Sequence, residues 1–251
     1  MNQQSAAEIT LQDYVSGGYY LAQFKQPGVE RPPSPKLPKR YISASGCHCR
    51  FFPDSWAWSY AGPQDDEGNL LRGISRFEER LAHARYFGIT ADQLPDVIRW
   101  GHFCGGSEFG FPTGFYRLLH ARKATEWINI PPEEYVIFGI GLHHTMVEKF
   151  LHDTKDYATC TIPICLKEGI PLQNTGKILG HELLDVFNGH LSESWICGGM
   201  EDILETYMHV KVNEHGYIDS FEIARVFARK IEQECNPEKP EVWYPWLIVS
   251  Y

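Results

Sequence analysis

The sequence lacks the segments that send a chain out of the cell or into a membrane. It opens MNQQSAAEIT, which has neither a basic start nor an apolar stretch. It also has no apolar run of about 18 residues, the length that a transmembrane helix needs. Its seven cysteines are an odd number and are scattered, which is typical of reduced thiols. We therefore expect a cytoplasmic protein with no membrane partner.

Catalytic motifs are missing as well. The glycine-rich stretch at 104–114, CGGSEFGFPTG, has no G-K-[ST] ending and so does not predict a phosphate-binding loop. No G-x-S-x-G nucleophile motif occurs. The cluster Cys47-His48-Cys49 has no second cysteine pair at the spacing of a zinc site. Motifs alone therefore predict no reaction and no cofactor.

Positive charge is scarce. The chain has 23 lysines and arginines against 32 aspartates and glutamates, so its formal net charge is −9. Proteins that bind nucleic acid concentrate basic residues, so no nucleic-acid partner is expected. An acidic surface attracts basic proteins and speeds their association. The alternative is that the acidity only keeps the protein in solution.

Apolar residues, in contrast, are sufficient for a core. Hydrophobic residues make up 43% of the 251 residues, close to the average of globular proteins. Aromatic residues are abundant, with 7 tryptophans, 13 tyrosines and 14 phenylalanines. Such residues suit a buried core and also a binding surface, where one end of the ring stays wet.

Proline-rich stretches predict how the chain is divided. Residues 27–40 predict an extended connector over the surface, or a ligand for a proline-binding domain. Pro131-Pro132 marks the clearest internal boundary. We therefore expect an N-terminal segment and connector at 1–40, an α+β region at 41–130 and an α/β region at 131–251, or one domain formed by the last two.

The second half has the clearest pattern of strands and helices. Strands are predicted at 135–142, 157–166 and 246–251, and helices at 143–152, 200–209 and 219–235. Residues 177–187 alternate less cleanly and fit a strand or a helix, of which we favour the strand. Asp219 is the predicted N-cap of the last helix. Pro245 is expected just before the last strand, which is apolar on both faces and therefore central. The predicted fold class is α+β, with a mostly antiparallel or mixed sheet covered by helices.

The stretch 188–199, NGHLSESWICGG, is the predicted partner-binding segment. Glycines let its ends bend, and its middle carries His190, Glu193 and Trp195. A tryptophan on a partly acidic loop is typical of a binding anchor. The alternative is that Trp195 packs into the core. The same binding surface is expected to include the acidic residues Asp65, Asp66 and Glu67.

One helix offers a metal site as an alternative function. His144, Glu148 and His152 project from neighbouring positions of one face, and two histidines with one carboxylate suit zinc or iron. However, His144 and His152 are two turns apart, about 12 Å of rise, so both cannot bind one ion. Only neighbouring pairs of these residues can share an ion, and with His181 or His190 they would make the chain a metal-dependent hydrolase. A third alternative is an interaction module that has no toxin as its partner.

Four blocks between about residues 135 and 251 resemble a known family. They are LGHELLD, SESWICGGMEDIL, NEHGYIDSFEIARVFARKI and PEVWYPWLIVSY. Their order resembles the C-terminal region of immunity proteins from bacterial polymorphic or contact-dependent toxin systems. The resemblance implies a cytoplasmic protein that sequesters one cognate toxin, often by occluding its active site, and that has no enzymatic activity. Together with the acidic charge, it predicts a basic toxin such as a nuclease as the partner.

Overall fold

In the computed structural model, one antiparallel sheet forms the centre of the part of the chain that the structure describes. That part comprises residues 9–24, 36–38, 41–45, 50–52, 90–93, 114–126, 131–158, 160–187, 190–196, 199–235 and 243–251. Its strands are β1 (Tyr14–Gln23), β2 (Arg50–Phe52), β3 (Tyr135–His143), β4 (Lys177–Phe187), β5 (His190–Ser194) and β6 (Trp243–Ser250). They lie in the order β2-β1-β3-β6-β4-β5, and every ladder is antiparallel.

Short helices accompany the sheet. They are α1 (Leu118–Thr125), α2 (His144–Asp153), α3 (Thr161–Glu168), α4 (Glu201–Met208) and α5 (Phe221–Cys235). Within the described ranges, 3₁₀ turns are found at Leu11–Asp13, Pro132–Glu134 and Lys155–Tyr157. The predicted α+β class is therefore confirmed. None of the helices in the described ranges has the length and apolar content that a bilayer crossing requires.

Strand β6 is the central strand that its sequence predicts. It pairs with β3 on one side and with β4 on the other. Since side chains alternate along a strand, Trp246 and Ile248 belong to the main core, whereas Leu247 and Val249 form a smaller cluster on the opposite face. All four side chains are fully buried, so β6 contributes to the apolar clusters on both faces of the sheet.

The main core lies between one face of the sheet and the helices. Helix α5 contributes the apolar stripe that its 3.6-residue period predicts, with Ala224, Phe227 and Ile231 buried against the sheet. Its start differs from the prediction: the hydroxyl of Ser220 accepts a hydrogen bond from the Ile223 N–H. The Asp219 carboxylate instead accepts from the Asn213 side chain, at 2.7 Å, and so is committed to the preceding turn.

The strand predicted at 157–166 is wrong. This stretch contains most of α3, which begins at Thr161 and ends at Gly169, a glycine in the left-handed conformation with φ 64°. Its β-branched residues favour a strand locally, but Pro163 sits in the first turn, where a helix tolerates proline. The burial of Ile162, Cys165 and Leu166 on one side of α3 decides the outcome.

Pro245 also lies in a different place from the one predicted. It is inside β6, opposite Leu183 of β4, and not before the strand. The last pair between β6 and β3 is Trp246 with Leu142, so Pro245 lies where the described part of β6 is paired on one side only. A missing N–H is tolerated at such a position.

The end of the proline-rich connector packs more deeply than predicted. Leu37, Tyr41, Ile42 and Ala44 are all buried members of the main core. We call residues 41–45 the strap, because they bring this N-terminal stretch across onto the C-terminal half of the molecule. Strand β1, also from the N-terminal part, pairs with β3 along its full length. The domain boundaries at 40 and 130 stay a prediction.

Candidate functional site

Strand β4 carries two buried ionisable side chains on opposite faces of the sheet. His181 and Glu182 are consecutive and both are fully buried, so they point in opposite directions. A bulge with Gly180 at φ 126° precedes them, and a Cβ at this position would lie 2.8 Å from the Cβ of Tyr217. The bulge therefore lets the 217–218 segment approach β4, where His181 and Ile218 form a β-bridge.

Glu182 is held by donors from the strap and from β5. Its carboxylate accepts hydrogen bonds from the Ser43 hydroxyl, from the Ala44 N–H at 2.8 Å and from the Ser194 hydroxyl at 2.5 Å. Ser43 and Ser194 are themselves buried. A buried carboxylate is stable only when its oxygens are satisfied in this way. Glu182 therefore joins the strap, β4 and β5 into one unit.

Tyr217 makes a second attachment for the strap. Its hydroxyl donates to the Ile42 carbonyl at 2.8 Å, and both side chains belong to the main core. Before the strap, Lys36 forms ion pairs with Asp202 and Glu205 of α4. These pairs are exposed and contribute little free energy, so the buried polar contacts of Glu182 and Tyr217 specify where the strap lies.

On the other face, His181 bonds to Tyr14 of β1. The Tyr14 hydroxyl oxygen lies 2.7 Å from Nε2 of His181, and Nδ1 lies 3.1 Å from the Ile218 carbonyl oxygen. Since a carbonyl can only accept, Nδ1 carries the proton and Nε2 accepts from the tyrosine. Burial lowers the pKa of His181 to about 4, and burial likewise raises the pKa of Tyr14. Both groups are therefore neutral at physiological pH.

Further aromatic groups surround this pair. The ring of His143 stacks on Phe221 with centroids 4.1 Å apart, and on His144 at 4.5 Å. His143 also caps α2 by accepting from the Thr145 N–H. Burial, followed by the charge of His144, lowers the pKa of His143. His143 is thus a hydrogen-bonded packing residue, and its surroundings favour its neutral form.

The buried neutral His181 predicts a loss of stability in acid. Its pKa in the folded protein, about 4, is below the ordinary value of about 6.5, so the unfolded chain binds a proton first as pH falls. The contribution of His181 is present above pH 6.5 and decreases by about 2 kcal/mol between pH 7 and pH 5. Urea unfolding of His181→Gln should lack this part of the pH dependence.

The exposed Val226 of α5 serves as the control for that measurement, because its side chain carries no titratable group. Replacing Val226 with alanine should leave the pH dependence of the free energy of unfolding close to that of the parent protein. If His181→Gln and the parent protein lose stability equally between pH 7 and pH 5, His181 is not held neutral by burial.

Trp195 is a core residue and not a surface anchor. Its side chain is fully buried, and its ring meets Phe227 of α5 edge-on, with centroids 5.6 Å apart. The prediction that the Trp195 ring contacts a partner is therefore corrected, and the alternative, core packing, is what the structure shows. Trp195 and Ile196 form the turn that directly follows β5, and both side chains are buried there.

The other predicted partner-binding residues have different outcomes. His190 is the first residue of β5, opposite Phe187, and Glu193 lies one position before Ser194 on the same strand. Their role in binding stays a prediction. Asp65, Asp66 and Glu67 lie outside the described residues, as do Cys47, His48 and Cys49.

The structure does not bring together the three candidate ligands of the alternative metal site on α2. His144, Glu148 and His152 are all exposed, and Nδ1 of His144 lies 3.1 Å from the Asp13 carbonyl oxygen. Within the described ranges, no group of three His, Cys, Asp or Glu side chains is arranged to hold a metal ion. The side chains are spread along the helix because positions i and i+8 are two turns apart.

An open groove of about 1270 Å³ lies between α1 and α3. Its apolar lining includes Tyr19, Tyr116, Leu119 and Ile164. Leu119 is 72% exposed, more than the other exposed large apolar side chains of the described part. Together with the half-buried Tyr116 and Ile164, Leu119 forms an apolar part of the groove that a partner can cover. The sequence does not predict this groove, because α1 and α3 come together only in the fold.

The charged residues of the groove are mainly basic. Arg117, Arg122 and Lys167 line it, with Glu168 as the acidic member. Among the described residues, no ion pair engages any of the three cations. Burial raises the pKa of Tyr116, so its hydroxyl stays a neutral donor. This local charge is opposite to the net charge of −9.

Comparisons with protein-family models, with curated proteins and with solved structures found no match for this chain. The resemblance to toxin-immunity proteins therefore stays a prediction.

Proposed function

We propose that this chain is an immunity-type protein that binds a cognate bacterial toxin in the cytoplasm and neutralises it by covering its active site. The proposal rests on the resemblance of residues 135–251 and on the acidic charge, which favours a basic toxin. In this proposal the protein acts by binding and transforms no substrate.

The observation that supports this function best is how the predicted partner-binding segment is held. Strand β5 stands at one end of the strand order. Ser194 at its end bonds to Glu182, and the following residues Trp195 and Ile196 are buried in the core. A segment fixed by buried contacts loses little conformational entropy on binding, which favours affinity. The backbone at His190 and Glu193 is therefore preorganised for a partner.

The proposal is tested with the protein encoded by the neighbouring gene. Expressed alone, that protein should arrest growth of a bacterial host, and co-expression of this chain should restore growth. If the neighbour is harmless, or if it stays toxic in the presence of this chain, the proposed function is wrong.

The predicted surface is tested by reversing one charge. Glu193→Lys should weaken the complex at least about tenfold, since a charge pair at an interface is worth about 1.4 kcal/mol or more. Glu214→Lys is the matched control, because Glu214 is an exposed glutamate in the 213–216 turn. Titration calorimetry gives both dissociation constants. Equal affinities for the two variants would place the interface away from β5.

A further inference from the structure

We infer that the groove between α1 and α3 binds an acidic segment of a partner polypeptide that also carries an apolar side chain. This inference is independent of the proposed toxin and of the β5 surface. It rests on the size of the groove, on its charge and on its exposed leucine.

The size of the groove favours a polypeptide segment. Pockets for small molecules have volumes of roughly 300 to 1,000 Å³ and enclose most of the ligand. This groove exceeds that range at about 1270 Å³, and exposed residues of both α1 and α3 line it. A peptide segment of several residues fits such a groove better than a compact ligand does.

The charge of the groove selects the chemistry of the segment. Arg117 and Arg122 lie on the α1 side and Lys167 lies on the α3 side, so cations border the groove from both helices. Since no described ion pair engages them, aspartate or glutamate side chains can bind them without displacing an internal partner. Arginine in particular binds carboxylates with two parallel hydrogen bonds.

Apolar contacts complete the site. Leu119 is 72% exposed, and it lines the groove together with Ile164 and Tyr116. Covering this leucine with an aliphatic or aromatic side chain removes apolar area from water and stabilises the complex. The protein as a whole is acidic and repels an acidic partner at long range. Recognition must therefore come from these short-range contacts.

The test uses the full chain and a displayed library of random short peptides. Selected peptides should be enriched in aspartate and glutamate beside a leucine, isoleucine or phenylalanine. The best peptide is then synthesised together with a version in which its carboxylates are replaced by amides. Fluorescence polarisation should show at least about tenfold weaker binding of the amide version.

Variants of the chain locate the site. Arg122→Glu and Lys167→Glu should each weaken binding of the acidic peptide at least about tenfold, and Leu119→Asp should do the same. All three side chains are exposed, so the fold should be retained, which unfolding midpoints verify. Arg229→Glu on α5 is the control and should bind as the parent does, because Arg229 is exposed and does not line the groove.

Four outcomes would overturn the inference. The first three are a selection without acidic enrichment, equal binding of the acidic and amide peptides, and full binding by the groove variants. Displacement of the peptide by inorganic phosphate at equal concentration would also overturn it, by assigning the groove to small anions.

Discussion

Replacing Trp195 with alanine is expected to destabilise the protein by about 4 kcal/mol, because a large buried aromatic ring is removed. Trp195 is fully buried, and it packs edge-on against Phe227. The loss should appear as a lower midpoint in urea unfolding and as a lower melting temperature. Any loss of partner affinity in this variant would then reflect unfolding and not a missing contact.

A more conservative change separates packing from the indole nitrogen. The Nε1 of Trp195 finds no acceptor among the described residues, so phenylalanine would remove an unpaired donor together with part of the ring. Trp195→Phe should therefore cost less than half of the alanine substitution. Tyr207→Ala is the surface control, since Tyr207 is exposed on α4. If Trp195→Ala were as stable as Tyr207→Ala, the buried position of Trp195 would be wrong.

Replacing Glu182 with alanine is expected to destabilise the protein by a similar amount, about 4 kcal/mol, for a different reason. The change removes the acceptor of the Ser194 hydroxyl and of the Ala44 N–H, and it leaves the Ser43 hydroxyl only the Ser45 hydroxyl as an acceptor. Buried donors that lose their partner cost about 1 to 3 kcal/mol each. Urea unfolding measures the total loss, and hydrogen exchange should show faster exchange at the Ala44 amide.

The glutamine variant provides a graded comparison. In Glu182→Gln the remaining carbonyl oxygen can still accept from the Ala44 N–H, and a serine hydroxyl can rotate to accept from the new amide group. The expected loss is therefore smaller, about 2 kcal/mol. Glu214→Ala, at an exposed turn position, should be neutral. Unchanged exchange at Ala44 in Glu182→Ala would show that Glu182 does not hold the strap.

The sequence correctly predicts those helices and strands whose apolar pattern matches the burial of their side chains in the fold. The strand Tyr135–His143, the helix His144–Asp153 and the central strand β6 all have apolar patterns that match their burial. Helix α3 failed because its β-branched residues favour a strand, whereas its packing against the sheet requires a helix. In that stretch, tertiary contacts outweigh local propensity.

The buried polar groups show where sequence reasoning stops. Glu182 occupies a core-facing position in an apolar strand, and that position was a usable signal, because a carboxylate there must find donors. Its donors Ser43 and Ser194 come from distant parts of the chain, so only the fold identifies them. The basic groove is similar, since Arg122 and Lys167 become neighbours of one cavity only when α1 and α3 meet.

The middle position of β6 determines when the sheet can assemble. The strands on its two sides, β1 to β3 and β4 with β5, all leave the ribosome before Trp243–Ser250 does. Until then, β3 and β4 expose edges that belong together but cannot meet, and unpaired strand edges invite aggregation. Pairing of β3 and β4 through β6 is therefore expected only after Trp243–Ser250 has been synthesised.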